Sequence, residues 1–389
     1  MTLSGLRVAI SGGGIGGLAL AVALRQAGAD VRLFERAPSI KEVGAGIQIS
    51  PNGVRVLHAM GLSEPFSEIS SIAQAVSLRD DANGSEVVRL DLQRYGGPVS
   101  YRFVHRHDLA MLLHAAALDA GVCVETGAEG VVAHDSALHL ADGRIIAADL
   151  IIGADGLHSV LRHQLNSKAA PFFTGQVAWR AVVPNSMAHP FEARVHMGPG
   201  RHLVSYPLRQ GRAVNIVAVQ ERSDWVAEGW SHRDDPQALR RAFAGADDSV
   251  SALLAEVKDV GLWGLFRHPV ASVWTNDRIA LLGDAAHSTL PFLAQGANMA
   301  LEDAWILRRC LIELPDIDVA LDRYAKLRRP RCERIVRTAS GNAQKYHLRR
   351  GPVRRAAHTG LKLAGRLAPS IMLRPYDWLY GYDATAIQI

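Results

Sequence analysis

The chain is poor in cysteine, in aromatic residues and in long apolar runs, and each shortage closes off a class of function. Its three cysteines, Cys123, Cys310 and Cys332, are far apart and form no C-x-x-C pair, which argues against a disulfide framework and a thiolate metal site. No apolar run reaches the roughly eighteen residues of a spanning helix. The strand-like run at Leu6 begins too early to follow a secretory leader, so a cytoplasmic location is expected. Aromatic residues make up 6% of the chain. No aromatic platform accompanies its basic residues, and no nucleic-acid partner is expected. Internal repeats and low-complexity tracts are lacking too.

Glycine is plentiful, at 35 of 389 residues in a composition that is 48% hydrophobic. This fits an α/β protein with a large core, long enough for two domains or for one large domain with an insertion. Charge is unevenly placed. From Arg323 to Arg374 fifteen Lys and Arg face one acid, Glu333, a balance of +14 in a chain whose total is +5, so the remainder carries −9. Such a segment can meet anionic lipid or a phosphate-bearing cofactor, or be a solvated set of helices. Leu361, Leu363 and Leu367 among Lys362 and Arg366 form a modest apolar stripe. It suits weak contact with an anionic membrane or packing against the nucleotide-binding part of the chain.

The chain is organised around its first thirty-odd residues. Leu6 to Ser11 reads as a short buried strand, and it breaks into Gly12-Gly13-Gly14-Ile15-Gly16-Gly17 before a helix of small and aliphatic residues, Leu18 to Ala27. That is G-x-G-x-x-G between strand and helix. Gly12 permits the turn, Gly14 lets the backbone approach a pyrophosphate, and Gly17 lets the helix pack on the strand. Unsatisfied N–H groups at Ile15 and its neighbours then point at an anion. A second strand, Val31 to Phe34, ends at Glu35 and Arg36, and the Glu35 carboxylate is placed to accept both ribose hydroxyls of an adenosine. A dinucleotide is the expected ligand, with FAD and NAD(P) both open and NADP disfavoured by the acid.

Downstream, Gly44-Ala45-Gly46-Ile47-Gln48 is a glycine-rich loop entering a helix around Val54 to Met60. Val76 to Leu92 alternates about a turn at residues 80–85 and reads as a hairpin. A helix opens at Val104 to Leu109, with Asp108 as N-cap. A buried strand ends in Gly153-Ala154-Asp155-Gly156. Strands at Gln176–Val183, Ala193–Met197, Leu203–Pro207 and Ala213–Val219 form a mostly antiparallel second unit, and Leu239 to Val257 reads as helical. A buried strand returns at Arg278 to Asp284. The rest is helical, punctuated by Pro315, Pro330, Pro352 and Pro369.

Three motifs in this order, the glycine turn with Glu35, then Gly153-Ala154-Asp155-Gly156 with Ser159 and Arg162, then Gly283-Asp284-Ala285-Ala286-His287 with Pro291 and Gly296, carry a resemblance over nearly the whole chain. The sequence resembles the single-component FAD-dependent aromatic hydroxylases, which include hydroxybenzoate, salicylate and hydroxynicotinate hydroxylases. The resemblance implies an α/β fold: a Rossmann-like FAD-binding domain (1–75, 101–170, 275–340), an inserted mostly antiparallel substrate domain (76–100, 171–274) and a helical C-terminal segment (341–389). It implies FAD as cofactor, NADH or NADPH as co-substrate, a small aromatic substrate and O2, reaction through a C4a-hydroperoxyflavin, and a monomer or homodimer. Asp155 would serve the flavin and the approach of NAD(P)H, and Arg106 matches the arginine that reaches the pyrophosphate. Asp284 would accept the ribityl hydroxyls, and the helix starting at Gly296-Ala297-Asn298 would direct N–H groups and a positive dipole end at the flavin. No second dinucleotide fingerprint follows.

For the substrate, His202 and Tyr206 are four apart on one strand and face the same side. His202, titrating near neutrality, would relay a phenolic proton and Tyr206 would bond the phenolate. A surface histidine beside a buried tyrosine is the alternative from the residues alone, whereas the His-x-x-x-Tyr spacing is similar to hydroxybenzoate 6-hydroxylases and hydroxynicotinate hydroxylases. Gln48 and Gln295 are expected near the ring. Pro291 would line the oxygen side of the flavin, with Phe292 and Leu293 excluding water. The hydroxynicotinate enzymes carry histidine where this chain has Gln48, which favours hydroxybenzoates over hydroxypyridines, with a larger polycyclic substrate as a further alternative. His287 reads as a structural group, and no arginine is assigned to a substrate carboxylate.

Overall fold

A computed structural model describes residues 2–40, 45–166, 170–222, 233–349 and 351–389. Gly44 of the glycine-rich loop lies outside them.

The short β-branched run Arg7–Ser11 becomes the middle of a six-stranded sheet. It pairs in parallel with Asp30–Glu35 on one side and Leu150–Gly153 on the other. Cys123–Thr126 and Ile279–Leu281 extend the sheet at either side, and the short Thr275–Asn276 adds an antiparallel edge. The chain therefore reverses its strand order beside Arg7–Ser11. In an open α/β sheet that is where a crevice forms beyond the carboxyl ends of the strands. Ser11, Gly153 and Leu281 end neighbouring strands, so the three motifs that follow them, far apart in sequence, emerge along one edge.

An eight-stranded sheet is built from Ala75–Asp80, Glu86–Asp91 and the strands between Phe172 and Arg267, all antiparallel except the pair of Ala75–Asp80 with Glu192–Gly198. Side chains alternate across it. Val177, Trp179, Ala181 and Val183 bury one face against the helices Pro236–Ala242 and Asp248–Ala255. Ala178, Arg180 and, on neighbouring strands, His202, Val204, Tyr206 and Val217 take the other face, toward the nucleotide-binding half. A small sheet of Gly46–Ile49, Arg102–His105 and Ser70–Ile72 joins the halves.

Four sequence expectations change. The stretch 239–257 is two helices rather than one, because Asp247 starts a new helix by accepting the Ser249 N–H. The helix Arg106–Asp119 is preceded by His105 as N-cap, with Asp108 inside its first turn. Pro330 does not end a helix: Ile317–Tyr346 runs through it, held by a buried face that includes Arg328, Cys332, Ile335 and Ala339, and so passes beyond residue 340. The helix Pro352–Leu367 packs chiefly on strand Glu86–Asp91 of the large sheet, where packing against the nucleotide-binding half was one expectation. Gly365 lies close to Val88, while Leu363 and Leu367 stay exposed. Three of the fifteen positive charges in this C-terminal region turn inward. Arg328 and Arg331 pair with Glu302, and Arg354 pairs with Asp80 and Asp81. No helix of the described residues is long and apolar enough to cross a membrane.

Candidate active site

One cavity of about 970 Å³ runs from the glycine turn to the inner face of the large sheet. Of the sequence-predicted residues it gathers Gly12, Gly14, Ile15, Gly17, Glu35, Arg36, Gly46, Gln48, Arg106, Asp155, His202, Tyr206, Asp284, Pro291, Gln295, Gly296 and Ala297. Asn298 is not among the lining residues. Its amide is an internal brace, accepting the Ser50 N–H at 3.0 Å and donating to the carbonyls of Gln48 and Ala294.

The nucleotide end follows from backbone geometry. Gly12 has φ +112°, and a Cβ there would lie 2.2 Å from the Ala154 carbonyl oxygen, so only glycine lets the turn pass the next strand. A Cβ on Gly14 would meet nothing within 4 Å. The space above it is open, and the helix Ile15–Gln26 starts there without a side-chain cap, so its first N–H groups are available to an anion. Glu35 accepts the N–H of Gly13 at 2.7 Å and of Ala37 at 2.8 Å, which holds its carboxylate at the mouth of the turn. Arg106 stands within the fields of Asp284 and Glu35, and burial pulls its pKa down from the usual value.

Asp284 is exposed where it lines the cavity. Seclusion from bulk water raises its pKa, against the pull of His287 and Arg106. Asp155 uses Oδ2 to accept the Val160 N–H at 2.9 Å, while its buried Oδ1 has no hydrogen-bond partner among the described residues. A hydroxyl-rich chain extending from a pyrophosphate at Gly14 would meet these two acids. Beyond them, the helix Gly296–Glu313 begins without a side-chain cap, just after Ala294 in the left-handed region at φ +53°. This arrangement fits a flavin dinucleotide: an open cradle at Gly14, carboxylates along the middle, and a helix start at the ring end.

The substrate end lies on the large sheet. His202 and Tyr206 are both buried and both line the cavity. Burial, followed by the neighbouring His347, pushes His202 well below the usual histidine range. The expectation of titration near neutrality is corrected: burial favours the neutral ring and moves its titration below that range. Burial raises the Tyr206 hydroxyl, opposed by Arg180 and by the neighbouring side-chain amides of Gln48 and Asn215. Tyr206 stacks on Phe103 with ring centroids 4.9 Å apart. Gln48 is fixed in turn by Tyr101, whose hydroxyl donates to Oε1 at 2.8 Å.

Gln295 lines the cavity, but its amide is engaged within the protein, bonded to Asn52, Ser50 Oγ and the Leu293 carbonyl. It shapes the loop rather than offering a polar group to a ring. Pro291, Phe292 and Leu293 form a short 3-10 turn against the cavity. His287 is structural, as expected: it is fully buried, with Nε2 2.5 Å from Asp303.

Sequence reasoning missed Arg180. It lines the cavity on the face shared with His202 and Tyr206, its guanidinium 4.3 Å from the Trp263 ring centroid. Burial lowers its pKa to about 10, so it is still a cation at neutral pH. The signal was there in a single charged residue at the centre of a strand otherwise fit for burial, a position that requires a reason.

With this geometry in view, the comparisons decide the family. Residues 5–339 match the family model described as FAD binding domain. The chain belongs to that family. It is a flavin-dependent aromatic-ring monooxygenase that binds FAD. It is 40% identical over 364 residues to the 3-amino-4-hydroxybenzoate 2-monooxygenase of Streptomyces cremeus, covering 89% of each chain. It is 34% identical over 394 residues to the 3-hydroxybenzoate 6-hydroxylase of Klebsiella oxytoca, covering 97% of each. Among solved structures, Klebsiella pneumoniae HpxO complexed with FAD and uric acid matches with a TM-score of 0.83 at 27% identity, over 95% of this chain and 97% of that one.

Proposed function

We propose that this enzyme hydroxylates a small phenolic aromatic acid of the hydroxybenzoate class, with 3-amino-4-hydroxybenzoate as the leading candidate, using NADH or NADPH and O2. One observation carries the reading: the buried side chains of His202 and Tyr206 and the half-buried cation Arg180 lie on one face of one sheet and line the cavity, where a base, a phenol-binding hydroxyl and a carboxylate-binding group are needed. FAD, when bound, supplies the redox chemistry with NAD(P)H and dioxygen.

The chain's own residues do the rest. Arg180 takes the carboxylate, a role suited to a guanidinium on the cavity wall beside Tyr206. Tyr206, stacked on Phe103 beside Gln48 and Asn215, bonds the phenolic oxygen. His202 removes the phenolic proton and so makes the ring a better nucleophile. Pro291, Phe292 and Leu293 keep water from the reacting face. The name of the more similar relative, and the carboxylate it implies, support the acid over a neutral phenol. Arg180 favours the same choice over an uncharged polycyclic ring.

The test is isotopic. Holoenzyme supplied with NADH or NADPH, 18O2 and 3-amino-4-hydroxybenzoate is expected to give a ring-hydroxylated product carrying a single 18O. Unlabelled product, or no product from any hydroxybenzoate offered, would overturn the reading.

A further inference from the structure

His202 does not stop at the cavity. Its Nδ1 lies 2.6 Å from Nε2 of His347, and Nδ1 of His347 lies 2.8 Å from Oε1 of Glu221. The imidazoles are both buried, whereas the side chain of Glu221 is 52% exposed. His347 follows the long helix as its C-cap. The hairpin turn at Gly200 clasps it, with the Gly200 N–H on its carbonyl and the Glu221 N–H on the Gly200 carbonyl. Phe292 and Tyr346 wall the His202 ring on other sides, with centroids 5.2 and 5.3 Å away.

The carboxylate sets the direction of the chain. Ionised Glu221 can only accept, so His347 carries its proton on Nδ1 and leaves Nε2 as an acceptor. His202 Nδ1 must then be the donor. That leaves Nε2 of His202, which makes no hydrogen bond among the described residues, as the basic nitrogen of a residue that lines the cavity.

We propose that His347 and Glu221 form a proton exit from the substrate cavity to solvent, with His202 at its inner end. This rests on His202 being the base that meets the phenol. The phenolic O–H breaks as N–H forms at His202 Nε2, and the His202 Nδ1 proton passes to His347 Nε2. The His347 Nδ1 proton then passes to Glu221 and on to water. One proton leaves the cavity, the phenolate stays, and both rings have exchanged tautomers. A proton returning along the same path restores them. Burial lowers the pKa of both rings, His347 adding to the effect at His202 and Glu221 opposing it at His347, which favours the neutral forms that such a chain needs.

The test measures proton release on binding. Oxidised holoenzyme is mixed with 3-amino-4-hydroxybenzoate, or with 3- or 4-hydroxybenzoate, in weakly buffered solution containing a pH indicator. Release in His347→Gly is expected to slow on the order of 100-fold and to recover with added imidazole, while flavin content and ligand affinity hold. Glu221→Gln, changed only at a solvent-exposed end, is expected to slow release less and to respond to small diffusible bases. Parent-like release in both variants, with slow release in His202→Ala, would overturn the exit and leave the base standing. Parent-like release in all three, or none from the unaltered enzyme, would remove His202 as base and the exit with it.

Discussion

The Gly46 N–H donates to Oδ1 of Asn215 at 2.7 Å, a buried hydrogen bond between the glycine-rich loop and the large sheet. It pins the loop against the strand that neighbours Tyr206. A Cβ on Gly46 would lie 2.7 Å from the Tyr206 ring and 3.0 Å from Asn215. The two halves of the enzyme therefore meet at a point with no room for a methyl group.

Gly46→Ala is expected to push Tyr206 off its place, at a cost of about 1–3 kcal/mol. Bound flavin should persist while affinity for a phenolic acid, read from the ligand-induced change in flavin absorption, falls roughly 10-fold or more. Parent-like affinity would show that the loop and the tyrosine are not coupled.

His202→Ala is expected to retain FAD and to slow hydroxylation on the order of 100-fold, with peroxide rising as NAD(P)H oxidation loses its product. Peroxide and product are assayed together. Undiminished coupling would take His202 out of the reaction.

Arg180→Gln should discriminate between ligands. Loss of a charge-assisted hydrogen bond costs about 1.5–3 kcal/mol, so affinity for a hydroxybenzoate is expected to fall about 10- to 100-fold while that for the matching phenol without a carboxylate hardly changes. Titration of both ligands into the variant checks this. Equal losses would mean that Arg180 shapes the pocket without reading the acid.

The buried ions behind the site govern stability. Asp303 bonds His287 and Arg328, and its ligand atom lies near those of His287 and Cys332, but the cations it holds are these side chains. Burial would raise the Asp303 pKa, yet His287 and Arg328 outweigh it and bring it to about 2. A carboxylate depressed on folding stabilises fully above its unfolded value near 3.8 and loses that contribution as pH falls toward 2. His287 is shifted the other way: burial lowers it, but Asp303 and Cys332 raise it well above the usual range. Its contribution is complete below about 6.5 and is lost as pH rises through the elevated value. Asp303→Asn is expected to cost about 3–5 kcal/mol, seen as a lower Tm that varies less between pH 4 and 2 than in the parent. An unchanged Tm would show that the cluster is dispensable.

The parts of this enzyme legible in its sequence are those set by local rules. Gly12, Gly14 and Gly17 stand between a strand and a helix at fixed offsets, and the parity of 202 and 206 puts both side chains on one face whatever the strand pairs with. Arg180, Tyr101, Asn215 and His347 were hidden because their roles depend on register between distant segments. Arg180 comes near Tyr206 only through two antiparallel pairings, with Val217 opposite first Arg180 and then Val204. The downward shift of the His202 pKa is hidden for the same reason, since its burial depends on Phe292, Tyr346 and His347 arriving from other parts of the chain. Pro330 shows a local rule losing to tertiary packing.

The most direct measurement is NADH and NADPH oxidation by the FAD-bound enzyme with 3-amino-4-hydroxybenzoate, the hydroxybenzoates and their carboxylate-free counterparts, with peroxide and product followed together. The account predicts that a phenolic acid accelerates oxidation with product matching coenzyme consumed, while the counterparts do little. Oxidation that no phenolic acid accelerates, in protein that holds its FAD, would contradict it.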